Sequence, residues 1–154
     1  MPELQTQYAD ASLWITGHSL GAALATLAAA KFTFEGDAPI PIQGVYTFGS
    51  PRVGDTTFAE AYDAKLRDIT FRFRNNNDVV TRVPIPLKLF PYQHIGSMRY
   101  FNVKGRLLES LSWWAGLLDR IRGRIQDLGS PGTDGMKDHS MDRYVELLDK
   151  NLKA

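Results

Sequence analysis

The chain has 154 residues, of which 44% are hydrophobic and 23% charged, a balance of folded domains that excludes disordered and collagen-like chains. Its 18 basic and 17 acidic side chains leave a formal charge of +1, so no electrostatic footprint points to nucleic acid as a partner. The absence of cysteine excludes disulfide frameworks, thiolate metal sites and a cysteine nucleophile. The length suits one domain over residues 1–154 with a core of its own.

Met1–Asp10 is polar and acidic where an export signal needs a positive flank and an apolar stretch, so a cytoplasmic location is the default expectation. Leu13–Ile15 is a short apolar run that ends at Thr16 and Gly17, and a helix-forming run follows from Leu20 through Lys31. This run is too short and too Ala-rich to span a bilayer. Being apolar almost all round, it is expected to be buried inside the domain. A second strand is expected over Gln43–Phe48, stopping at Gly49, Ser50 and Pro51. Thr57 and Glu60 then have capping-box spacing for a helix over Phe58–Leu66, and Asp55 reads as a helix-start residue. A third strand, Ile69–Phe73, runs into Asn75, Asn76, Asn77 and Asp78, where the asparagines suit a turn through their tolerance of positive φ. Strands separated by helix-length segments imply crossovers and a parallel sheet covered on both faces.

Beyond Asp78, Pro84, Pro86 and Pro91 oppose regular structure. A fourth strand is expected over Met98–Val103, then an amphipathic helix over Arg106–Leu128, with Leu107, Leu111, Trp114, Leu118, Ile121, Ile125 and Leu128 on one stripe. Gly129, Gly132 and Gly135 mark a loop, and a last helix from about Ser140 carries Met141, Tyr144, Val145 and Leu148 on one face.

Gly17-His18-Ser19-Leu20-Gly21 has the G-x-S-x-G pattern between an apolar strand and a helix, the context of a nucleophile elbow. A serine hydroxyl on such a sharp turn projects from the end of the sheet, the flanking glycines admit neighbouring backbone, and the helix start offers N–H groups to a developing oxyanion. The Leu20 N–H is the first such donor. Serine needs a base that is itself oriented by a carboxylate. The three histidines are His18, His94 and His139. His18 adjoins the serine on a strained turn and points elsewhere. His94, in the Pro-rich stretch, is the second candidate for the base, and its structural reading is a bond to a backbone carbonyl. His139 lies just before the last helix, where the chain order Ser, Asp, His puts the base. Asp78 follows a strand end on the same sheet edge as the elbow and is the candidate acid. Asp138 would have to fold back on its neighbour.

These motifs, with Thr47-Phe48-Gly49-Ser50-Pro51-Arg52-Val53-Gly54-Asp55, Phe73-Arg74-Asn75, Asp78-Val79-Val80, Arg82-Val83-Pro84 and His94 to Gly96, stand in one order from about Leu13 to Leu148. In them the chain resembles the C-terminal portion of the class 3 lipase family. The resemblance implies an α/β-hydrolase fold, here partial, with a mostly parallel sheet, helices on both faces and the N-terminal strands missing. It implies Ser19, Asp78 and His139 as nucleophile, acid and base, a lipid or small ester as substrate, and neither metal nor cofactor. Family members carry further strands before the elbow and a loop there with a second oxyanion donor, whereas only Met1–Ser12 precede this strand. An exposed apolar edge at Leu13–Thr16 follows, open to self-association or to a partner chain. A non-catalytic half-domain completed by a partner is the alternative to an ester hydrolase.

The remaining motifs have structural readings. Thr47–Gly54 steers the chain off a strand end, with Arg52 in a surface pair, and Asn75–Asn77 presents Asp78 without a ligand role. The Trp113–Trp114 stripe is expected to pack on the domain, with peripheral contact to a lipid surface as its other use.

Overall fold

The computed structural model describes residues 11–36, 41–85, 91–109 and 134–153. Strands β1 (Leu13–His18), β2 (Ile42–Phe48), β3 (Thr70–Asn75) and β4 (Ser97–Phe101) lie side by side in that order, all parallel. A two-residue strand, β5 (Leu107–Leu108), adds to β4 antiparallel. The strands advance in one direction across the sheet, so crossovers of one hand place their helices on one face. Helices α1 (Leu20–Phe34) and α2 (Thr56–Leu66) share that face and pack Ala29, Ala30, Ala59, Tyr62 and Leu66 on Val45 and Ile95. The opposite face carries Phe48, Phe73 and Phe101 and is covered by Tyr144 and Leu147 of α4 (Met141–Leu152). A four-residue helix, α3 (Asp134–Lys137), precedes α4.

Local chemistry sets the element ends. Asp55, not Thr57, caps α2, its side chain accepting from the Phe58 N–H at 2.8 Å, so the expected Thr57–Glu60 capping box does not form. Ser140 caps α4 through the Arg143 N–H at 3.2 Å. Strand β3 starts at Thr70 rather than Ile69, which belongs to a 3-10 turn over Arg67–Ile69. Strand β4 stops at Phe101 because Asn102 Oδ1 accepts from the Lys104 and Arg106 N–H groups at 2.9 and 3.0 Å, turning the chain. The helix expected from Arg106 therefore does not begin there: Leu107 and Leu108 are strand, and 110–128 lie outside the described residues. Of the expected glycine loop, Gly135 sits in α3, while Gly129 and Gly132 lie outside the described residues.

Helix α1 departs most from expectation. It buries Ala22, Ala25, Thr26, Ala29 and Ala30, whose small side chains let the helix settle close to the sheet. Leu20, Leu24 and Leu27 consequently face outward at 69%, 58% and 46% exposure, so the helix is buried on one side only. Strand β1 next to it has β2 as its one strand neighbour among the described residues. No helix among the described residues is long and apolar enough to cross a membrane.

The glycines of the elbow also differ from each other. A Cβ on Gly17 would stand 2.2 Å from the Gly21 carbonyl oxygen, so β1 and α1 can approach only with glycine there. A Cβ on Gly21 meets nothing within 4 Å among the described residues, so the expected need for a second glycine is not met. Gly17→Ala is expected to destabilise the protein by about 1–3 kcal/mol, the usual cost of overpacking. Gly21→Ala should be neutral or stabilising by about 0.5–1 kcal/mol, the helix preference of alanine. Urea unfolding midpoints of the two variants at unchanged slope check the contrast.

Candidate active site

Parallel pairing puts the C-terminal ends of β1, β2 and β3 on one edge, with His18 level with Phe48 and Phe48 level with Phe73. Three chain turns leave this edge, and each contributes to one site. At the first, Ser19 has φ 58° and ψ −127°, the one non-glycine at positive φ among the described residues. Such a conformation costs about 1–3 kcal/mol and persists where the surroundings over-determine it. Here the Ser19 N–H donates to the Phe48 carbonyl at 3.0 Å and the Ser19 carbonyl accepts from the Ala22 N–H at 3.0 Å. Leu20 opens α1, so its N–H has no acceptor within the helix and belongs to the positive end of the helix dipole.

At the third turn Asp78 is fully buried. One carboxylate oxygen accepts from the Val80 N–H at 2.9 Å, the other from the Tyr144 hydroxyl at 2.6 Å, and both lie 3.0 Å from His139 Nδ1. His139, in the turn between α3 and α4, points Nε2 at Ser19 Oγ, 2.8 Å away. A carboxylate only accepts, so Nδ1 carries the imidazole proton and Nε2 presents its lone pair to the serine hydroxyl. The structure thus brings Ser19, Asp78 and His139, 59 to 120 positions apart in sequence, into one continuous hydrogen-bonded line. The arrangement can take a proton from the serine hydroxyl while a buried anion holds the imidazole.

Two contributors were not singled out from the sequence. Gly49, at the second turn, has φ 60°, and a Cβ there would fall 2.8 Å from Asp78 Oδ2 and 2.9 Å from His139 Nδ1, so only glycine leaves room for the pair. Its signal was a glycine directly after a strand end. Tyr144 was read with Met141, Val145 and Leu148 as one face of α4; it is buried with Leu147 while Val145 and Met141 are exposed, and its hydroxyl donates to Asp78 and accepts from the Asn75 N–H at 2.9 Å. Burial first, then the Asp78 carboxylate, push its phenol pKa far up, keeping it a donor.

The other two histidines bond to carbonyls. His18 turns from the serine to the His139 carbonyl. His94 donates from Nε2 to the Thr81 carbonyl at 2.9 Å, as expected of a structural residue, while Thr81 Oγ1 donates to the Asp78 carbonyl at 2.8 Å. Arg52, expected in a surface pair, instead donates through Nη1 to the Arg82 and Pro84 carbonyls and clamps the same turn. Asn75 and Asn76 do turn the chain, but not through positive φ. Their side-chain oxygens accept from the Asn76 N–H and the Tyr100 hydroxyl. Among the described residues no three His, Asp or Glu side chains group to hold a metal ion.

An apolar strand, a strained serine turn and a helix, set in a mostly parallel sheet, define the α/β-hydrolase fold. The chain belongs to the class 3 lipase family, whose model matches residues 1–88. A triacylglycerol lipase of Nicotiana tabacum is 36% identical over 107 residues, 66% of this chain and 19% of that protein. A phospholipase A1 of Oryza sativa is 42% identical over 79 residues, 51% of this chain and 20% of that one. Among solved structures, a mono- and diacylglycerol lipase from Aspergillus oryzae aligns with TM-score 0.54 and 31% identity, covering 66% of this chain and 35% of its own. A triacylglycerol lipase whose catalytic centre is a serine protease triad aligns with TM-score 0.54 and 30% identity, covering 64% of this chain and 37% of its own. The chain therefore spans about a fifth of these curated relatives and about a third of these solved structures.

Two stability measurements test the surroundings of Asp78. Tyr144→Phe removes a hydrogen bond to a buried charge and leaves the Asn75 N–H without its acceptor, so a loss of about 1.5–3 kcal/mol is expected from denaturant midpoints. His94 is pushed down to about 3, chiefly by burial and then by the Arg72 and Arg52 charges, so the folded chain holds it neutral. The unfolded chain binds the extra proton, with a pKa of about 6.5. The contribution of His94 is thus complete above pH ~6.5 and is lost on acidification towards pH ~3, at up to about 1.4 kcal/mol per unit. His94→Gln should flatten that slope in unfolding measurements across the window.

Proposed function

We propose that the chain is a carboxylic-ester hydrolase of lipase type, with Ser19 as nucleophile, His139 as base, Asp78 as the acid that orients it and the Leu20 N–H as an oxyanion donor. The observation that carries this reading is the unbroken line from Ser19 Oγ through the His139 ring to both Asp78 oxygens, at 2.8 and 3.0 Å. His139 Nε2 takes the hydroxyl proton as Ser19 Oγ bonds to the ester carbonyl carbon, and the carbonyl oxygen becomes an anion beside the start of α1. As the tetrahedral species collapses, the bond to the alcohol oxygen breaks and His139 delivers the proton to it. Water, activated by the same nitrogen, then releases the acid from the acyl-serine and restores Ser19. Asp78 stays ionised and supports the imidazolium. No step requires a cofactor.

A lipid ester is the substrate class that the surroundings favour. Leu20 follows the nucleophile, Val79 follows the acid and Met136 lies three residues before the base, and all three are exposed apolar side chains. Exposed apolar neighbours of this kind suit an acyl chain, and the relatives named as triacylglycerol lipase and phospholipase A1 support the same class.

A second reading is favoured by one observation, the outward leucines of α1 beside a β1 that has one strand neighbour among the described residues. In it the chain is a non-catalytic half-domain, with a partner chain or a second copy covering that side before the site works. Fluorophosphonate labelling of the isolated chain separates the two. Stoichiometric adduct on Ser19 supports the first reading and overturns the second. Ser19→Ala and His139→Ala are expected to lower hydrolysis of a short-chain nitrophenyl ester on the order of 10⁴–10⁶-fold. Unchanged hydrolysis in both variants would refute the assignment.

A further inference from the structure

His18 has no part in the chemistry above, yet it grips the residue that does. Gly17 directs its missing Cβ into α1, and side chains alternate along a strand, so His18 projects to the opposite face of the sheet, where α4 and His139 lie. There its Nε2 bonds to the His139 backbone carbonyl at 2.6 Å across 121 positions of sequence. A carbonyl only accepts, so His18 is the donor. The same ring lies against the His139 imidazole, with centroids 4.6 Å apart and planes tilted by 30°, and Tyr144 meets it edge-on at 6.1 Å.

Asp78 holds the Nδ1 side of the His139 ring at 3.0 Å, and other bonds hold the backbone around it. The His139 N–H donates to the Met136 carbonyl at 3.2 Å, and the Ser140 N–H to that of Lys137 at 3.0 Å; both bonds shape the turn without tying it to the sheet. Asn75 Nδ2 reaches the Asp138 carbonyl at 3.1 Å. During acyl transfer the bond between Ser19 and His139 must break and reform, so it cannot by itself hold the base in place. A backbone anchor from the nucleophile's own strand does not break in that cycle.

We infer that His18 is a positioning residue that fixes the His139 peptide by hydrogen bond and the imidazole plane by ring contact, keeping Nε2 aimed at Ser19 through the reaction. The inference rests on the proposed triad. It ties the aim of the base to the adjacent residue of the elbow, so that one strand end places both nucleophile and base. Misplacement of reacting groups by a fraction of the contact distance is costly, whereas substrate affinity depends on other surfaces.

Three variants separate the two contacts. His18→Gln keeps a side-chain N–H donor within reach of the carbonyl, His18→Phe keeps a ring without the donor, and His18→Ala removes both. The rate of fluorophosphonate labelling of Ser19, kcat and KM on a short-chain nitrophenyl ester, and the unfolding midpoint are measured for each. Labelling and kcat are expected to fall about tenfold in His18→Phe and by about 10²-fold in His18→Ala, with KM unchanged and His18→Gln within about threefold of the parent. Equal kcat in the parent, His18→Phe and His18→Ala overturns the anchor, as does a loss that appears in KM alone or follows the unfolding midpoint without rescue by Gln. A parent chain that takes no label on Ser19 overturns the triad reading and the anchor together. A labelled parent with equally labelled His18 variants overturns the anchor alone.

Discussion

The buried carboxylate of Asp78 is the constraint around which the rest of the chain is arranged. An isolated charge removed from water is prohibitively costly, and the group remains ionised only where hydrogen bonds replace its hydration. Its donors come from three separate places: the Val80 N–H of its own turn, the Tyr144 hydroxyl of the last helix and Nδ1 of His139. The first is local. The other two require α4 to lie on the aromatic face of the sheet and require β3 to end level with the elbow. Satisfying one carboxylate thus docks the C-terminal helix and aims the imidazole. That coupling explains why Tyr144, a core residue by burial, is also a site residue by bonding.

Against that electrostatic demand stands a steric one. Three turns leave the same sheet edge from adjacent strands, and the chain meets the crowding by omitting side chains. Gly17 lets α1 close on β1, and Gly49 leaves the space that Asp78 and His139 occupy. Ser19 alone keeps a side chain at positive φ, and its backbone is held on both sides, by the Phe48 carbonyl before it and the Ala22 N–H after it. The strain is located where a projecting hydroxyl is useful and is absent from the Asn75–Asn77 turn, which closes through side-chain oxygens.

Much of this was legible in the sequence, because the signals were local or periodic. Apolar runs bounded by glycine, proline and capping residues marked the four parallel strands, α1, α2 and α4 to within a few residues. The elbow was legible because its pattern sits between a strand and a helix. What escaped depended on contacts between distant positions. Hydropathy alone would bury the leucines of α1 before its alanines, and only the closeness of the helix to the sheet selects the small residues for burial. The cap of α2 is a local exception: Asp55 and the Thr57–Glu60 pair both marked the helix start, and Asp55 takes the cap. Gly49 read as a strand terminator, since nothing in its neighbourhood announces a carboxylate and an imidazole arriving from 29 and 90 positions away.

The three histidines show how bonding sorts residues that sequence order alone can only rank. In His18 and His94 the Nε2 hydrogen is committed to a backbone carbonyl, so that nitrogen has no lone pair to offer. In His139 the commitment is reversed: Nδ1 donates to a carboxylate, which leaves Nε2 free to accept from a serine hydroxyl. A carbonyl and a carboxylate both fix a tautomer, but only the carboxylate also stabilises the positive ring that forms when the proton arrives. In the proposed mechanism, base competence therefore follows from what lies behind the ring rather than in front of it. Chain order points to the residue proposed as base because an imidazole that is to meet the end of β3 and lie under α4 has to come from the turn that introduces that helix.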